Sequence, residues 1–77
     1  MAESKILERI TANPKIFGGK PIVRGMRISV ELVLSLLAAG ESVEAILEDY
    51  PSLEREDIRA CIAYARSRID HPVLVGK

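Results

Sequence analysis

The sequence predicts a mainly α protein: a three-helix, helix-turn-helix-like domain preceded by a small N-terminal β-hairpin element. Three observations carry that prediction. Helical periodicity begins at Val30, and from there three successive segments place apolar residues three and four positions apart. Each segment has its own punctuation: Ser29 and Gly40 around the first, Ser42 and Tyr50-Pro51 around the second, Asp70-His71-Pro72 after the third. Ahead of them, the stretch Gly18 to Ser29 (GGKPIVRGMRIS) sets three glycines and a proline around very short apolar pairs, which is turn chemistry. The 77 residues make one domain, read as an arm and β element over 1–28, a helical core over 29–69 and a tail over 70–77.

Taken in order, Met1 to Glu8 carries little pattern beyond Ile6 and Leu7, which could support a frayed turn. Arg9-Ile10-Thr11 reads as a short strand closed by Asn13-Pro14, because a residue before proline is pushed out of the α region. Lys15-Ile16-Phe17 reads as the next extended piece, ended by Gly18-Gly19. Arg24-Gly25 centres a tight turn, since Gly25 takes positive φ at little steric cost.

The first long helix runs from Val30 to Ala39, with Glu31 placed where the helix dipole favours an anion. It is apolar nearly all round, which implies nearly complete burial and points to a subunit interface. The second helix turns Val43, Ile46, Leu47 and Tyr50 inward, and the third, from about Glu54 to Arg68, is expected to bury Ile58, Ile62, Ala65 and Ile69. Cys61 reads as a small apolar packing residue. Strands of two to four residues are weak alone, and a chain this small gains from a second copy. A homodimer joined through Ile22, Val23, Ile28, Val33 and Leu36 follows as an expectation.

Composition excludes several classes. Of the residues, 48% are hydrophobic and 29% charged, the balance of a soluble globular chain. With one cysteine and one histidine, neither an intrachain disulfide nor a structural zinc site can be completed from those residues, and a reducing, cytoplasmic home is expected. The N-terminus lacks the continuous apolar run of a secretory signal, and no stretch approaches the ~20 apolar residues that span a bilayer. No membrane role and no cofactor are expected.

The formal net charge of zero hides segregation. Six cations oppose two carboxylates up to Val30, eight carboxylates from Glu31 to Asp57 oppose Arg55 alone, and four cations oppose Asp70 thereafter. A basic front and an acidic middle say where a polyanion or partner could approach.

Gly18-Gly19-Lys20 is not a phosphate loop, since Pro14 stands where that motif needs its first glycine and Pro21 where it needs Ser or Thr. His71 has no carboxylate or nucleophile spaced to orient it, so no catalytic site is expected and the chain is not read as an enzyme. The helices around Tyr50-Pro51-Ser52-Leu53 suit either a DNA-reading unit or a plain packing hairpin. The would-be reading residues, Glu54, Arg55, Glu56 and Asp57, are mostly acidic. A DNA contact is therefore expected from Lys20, Arg24 and Arg27 on the basic front, with Arg55 and Arg59 the cations near the reading face.

The span from Arg9 to Ala65 resembles the family of domain of unknown function 433. The resemblance rests on Arg9-Ile10-Thr11 with Asn13-Pro14, Gly18-Gly19-Lys20-Pro21, Arg24-Gly25 with Arg27-Ile28, Leu37 to Gly40, Tyr50-Pro51 with Leu53, Glu56-Asp57-Ile58 and Tyr64-Ala65. Met26 and Glu54 stand where the family pattern has threonine. The resemblance implies a helix-turn-helix-like fold and an antitoxin role beside a PIN-like ribonuclease toxin, with operator DNA as a further partner. In that expectation Val73, Leu74 and Val75, or the acidic middle, dock on the toxin. The competing expectation is a protein-interaction module without nucleic-acid binding.

Overall fold

The computed structural model describes residues 3–69, which are built around two strands and three main helices. A short helix α1 (Glu3–Ile6) continues into a 3-10 turn (Leu7–Arg9) and then β1 (Ile10–Thr11). Strand β2 (Ile22–Val23) pairs with β1 antiparallel, Ile10 facing Val23 and Thr11 facing Ile22. Helices α2 (Val30–Ala38), α3 (Val43–Asp49) and α4 (Arg55–Arg68) follow.

The expected helix boundaries hold because the caps do. The Ser29 hydroxyl accepts from the Leu32 N–H at 3.0 Å, and the Ser42 hydroxyl accepts from the Ala45 N–H at 3.0 Å. Past α2, Gly40 lies at φ 96°, its N–H donates to the Leu37 carbonyl, and the Glu41 N–H reaches back to Leu36. That pair of bonds is the Schellman closure that a glycine after a helix permits.

The hairpin turn also forms as expected, with one addition. Both central residues have positive φ, Arg24 at 44° and Gly25 at 72°, as a type I′ turn requires, and the Met26 N–H donates to the Val23 carbonyl at 2.8 Å. The Gly25 N–H donates to the Thr11 hydroxyl at 2.9 Å, tying the turn to β1.

Lys15-Ile16-Phe17 is not a strand. The Asn13 side chain accepts from the Lys15 N–H and the Asn13 carbonyl from the Ile16 N–H, which seals a turn around Pro14. Phe17, Gly18 and Gly19 then take successive positive φ values of 51°, 65° and 91° as a 3-10 turn. The N-terminal segment, read as a frayed turn, is instead helical and packs on α4, with Ile6 buried.

One apolar cluster forms the core. Val23, Val30, Val33, Ile46, Leu53, Ile58 and Cys61 are buried in it. Ile22, Val23 and Val33 are fully buried within the protomer, so their side chains cannot reach a second copy as the dimer expectation required. Ile28 and Leu36 remain half-buried. Helix α2 is likewise only partly covered: Val30 and Val33 are buried, whereas Leu32, Leu34, Leu36 and Leu37 are half-buried.

Helix α4 is rotated from the expected face. Asp57, Ile58, Ala60 and Cys61 are buried, while Ile62 is 49% exposed and Ile69 67%. With Asp57 turned inward, the helical period swings Ile62 and Ile69 about 120–140° away from it.

Gly25→Ala should lower stability by about 1 kcal/mol, the cost of a side chain in the left-handed region. No heavy atom lies within 4 Å of the added Cβ, so urea unfolding should show this backbone cost without a steric one.

Candidate functional site

A buried polar constellation joins the hairpin turn, the 3-10 turn before β1 and the start of α4. Asp57, the third residue of α4, has no solvent-exposed surface. Its Oδ1 accepts from Arg24 Nε at 2.9 Å and from Arg9 Nη1 at 2.9 Å. Its Oδ2 accepts from Arg24 Nη2 at 2.8 Å and from the Glu54 backbone N–H at 2.8 Å. Arg24 thus grips the carboxylate with two parallel bonds, and the same Nη2 donates to the Ser52 carbonyl at 3.0 Å. Arg9 Nη1 also donates to Glu54 Oε1 at 2.9 Å.

Each member is positioned by local sequence. The type I′ turn aims Arg24 across the domain, and the Arg24 N–H donates to the Arg9 carbonyl, so both cations leave one corner of the hairpin. Asp57 sits in the first turn of its helix, where the helix dipole favours a negative charge and the preceding N–H groups lack helical partners.

Desolvation acts to raise the Asp57 carboxyl, but the Arg24 bonds, the Glu54 N–H and Arg9 outweigh it and hold the group below its ordinary value of 3.8. The same bonds push Arg24 and Arg9 further upward, Arg24 through Asp57 and Arg9 through Glu54 first and then Asp57. Behind this cluster, burial and then the Asp57 charge push the Cys61 thiol up to about 12.

The expected DNA contacts separate under this geometry. Arg24 does not stand free for phosphate: its Nε and Nη2 donors are committed to Asp57 and Ser52. Lys20 pairs with Glu31 at 2.9 Å and Arg55 with Glu44 at 3.1 Å, all four side chains being exposed. Such surface pairs hold their partners weakly and yield to a stronger anion. Arg27 and Arg59 are exposed, and no hydrogen bond or ion pair engages either among the described residues. Glu44 is lowered first by a backbone hydrogen bond at the start of α3 and then by Arg55. Val73, Leu74 and Val75 lie outside the described residues, as does His71.

Arg9 and Asp57 were not singled out together from the sequence. Their signal was present in a different form, for Asp57 follows Glu54 at the three-residue spacing of a capping pair. Among the described residues no cluster of three or more histidine, cysteine or acidic side chains could hold a metal ion. No described helix is long and apolar enough to cross a membrane.

The model of a family described as Protein of unknown function (DUF433) matches residues 10–65. The chain belongs to that family. Arg24 and Asp57 both fall inside the span that defines this DUF433 domain, and Arg9 lies immediately before it. The chain is 48% identical over 60 residues to "Uncharacterized protein y4eO" of Sinorhizobium fredii (strain NBRC 101917 / NGR234). That alignment covers 78% of this chain and 27% of the relative, so the DUF433 chain spans only about a quarter of the relative's length. No solved structure matches it.

Asp57→Asn should cost about 3 kcal/mol, as breaking a buried ion pair from one side does. The wild-type contribution is present above 3.8 and is lost as pH falls below it through the lowered folded value. Urea midpoints measured from pH 6 downward should therefore converge for wild type and variant in acid. Cys61 should resist alkylation at pH 8 in the folded protein and react fully in denaturant, read by mass spectrometry.

Proposed function

We propose that this chain is a non-enzymatic antitoxin that binds operator DNA as a homodimer and masks a PIN-like ribonuclease. The observation that carries the DNA part is the position of Arg27 and Arg59. Both are exposed cations without a partner among the described residues, one on the hairpin and one on α4 of the helix pair α3–α4. Lys20 and Arg55 add two cations whose exposed carboxylate partners are readily displaced. Phosphate contacts of this kind supply affinity without reading sequence.

The nuclease part is supported by the opposite charge. Glu41, Glu44, Glu48 and Asp49 are exposed on and beside α3, a surface suited to the cationic path along which a ribonuclease draws RNA. The antitoxin role itself is the expectation that the family resemblance implies, and this division of charge is compatible with it. A protein-interaction module without nucleic-acid binding is the second reading, favoured by the exposed Glu54 and Glu56 at the start of α4.

The test is retention of the DNA upstream of the gene across a salt series. Replacing Arg27 and Arg59 with alanine removes two contacts from each copy and should lower the log–log salt slope of the dimer by about 4, roughly one unit per lost phosphate contact. An unchanged slope removes both residues from the interface, and no retention at low salt favours the second reading. Inhibition of the nuclease encoded beside the gene, assayed on RNA, tests the masking role independently.

A further inference from the structure

We propose that two copies of this chain join face to face through the groove between the start of α2 and the end of α4. The proposal deepens the homodimer part of the reading above and replaces the interface expected from sequence, three of whose five side chains are buried in the protomer. The groove is open, about 340 Å3 in volume, with Pro21, Leu34, Tyr64 and Ile69 on its walls. Ile69 is 67% exposed, and Ile62, two turns earlier on nearly the same side of α4, is 49% exposed. Leu34 and Tyr64 are half-buried and pack against the edge of the core. Exposed apolar side chains on α4 therefore extend beyond what the fold covers.

Charge at the two rims selects the occupant. Glu31 stands on the α2 side and Arg68 on the α4 side of the same groove. Arg68 is held with its guanidinium 5.9 Å from the Tyr64 ring centre, which keeps it beside the apolar floor. A twofold axis running along the groove lays the α2 rim of each copy against the α4 rim of the other. Glu31 of one copy then meets Arg68 of the partner copy, and the symmetry repeats the pair. An isologous interface must be self-complementary in this way, and a groove with a carboxylate, Glu31, on one rim and a guanidinium, Arg68, on the other can meet that requirement against itself. Lys20 pairs with Glu31 at 2.9 Å on the same rim, and because both side chains are exposed the arginine of the second copy shares or displaces it at that carboxylate.

The experiment is sedimentation equilibrium of the full chain without DNA. Wild type should sediment at twice its 8.5 kDa mass. Glu31→Arg and Arg68→Glu should each weaken the dimer about tenfold or more, because each sets like charges against one another twice. The double variant Glu31→Arg/Arg68→Glu should return to within about threefold of wild type. Urea midpoints of all variants establish that they fold. Isotope-filtered NOEs should connect Leu34 methyls to the Tyr64 ring of the other copy.

A folded wild type that stays monomeric at about 100 μM, about a hundred times a micromolar dissociation constant, overturns the proposal. So does a double variant no better than the single ones, or NOEs that place Val73–Val75 of the same chain in the groove. DNA retention by the same variants is measured separately, so loss of the dimer and loss of DNA binding are told apart.

Discussion

A carboxylate with no access to water fixes much of this small domain. Burying Asp57 would be prohibitive if it were unpaired, because an ionised group removed from water must recover its solvation from hydrogen bonds. Here it receives four: two from Arg24, one from Arg9 and one from the Glu54 N–H. Those donors come from the hairpin turn, the end of the N-terminal helical segment and the turn before α4. One side chain thereby adds a polar tie between parts of the chain that also meet in the apolar core, and it fixes which side of α4 faces inward.

That rotation decides which residues are left for function. With Asp57 inward, Cys61 is drawn into the core and its thiol becomes inert, while Ile62 and Ile69 are turned outward onto a strip the protomer does not cover. The hairpin is affected in the same way. Arg24, the cation at its tip, is drawn back toward α4, whereas Arg27 three residues later remains in solvent. Internal ion pairing thus sorts the cations of the basic front into structural members and surface members, which charge counting along a sequence treats alike.

The charge pattern has a second consequence. The exposed cations Arg27 and Arg59 lie on the hairpin and α4, and exposed carboxylates lie around α3 and at the start of α4, so the segregation seen along the sequence is only partly kept on the surface. Surface pairs such as Lys20 with Glu31 and Arg55 with Glu44 lie between these extremes. They are short in geometry yet largely exposed, and salt or a competing anion exchanges them readily.

The sequence by itself determined the elements whose signals are local. Ser29, Gly40 and Ser42 marked where the helices begin and end, and Arg24-Gly25 marked the hairpin turn, because caps and positive-φ turns depend on groups within a few residues of one another. Local signals also misled where two competed, as when the Asn13 side chain closed a turn over residues that alternate like a strand. Helical period alone predicted the face of α4 only in part, burying Ile58 correctly and Ile62 and Ile69 wrongly, since apolar spacing left several rotations open and isoleucine outranked aspartate as a core residue. Only the tertiary structure chose among them. The partners of Asp57 are 33 and 48 residues away in the chain, and a long-range ion pair leaves no periodic trace by which one sequence can announce it.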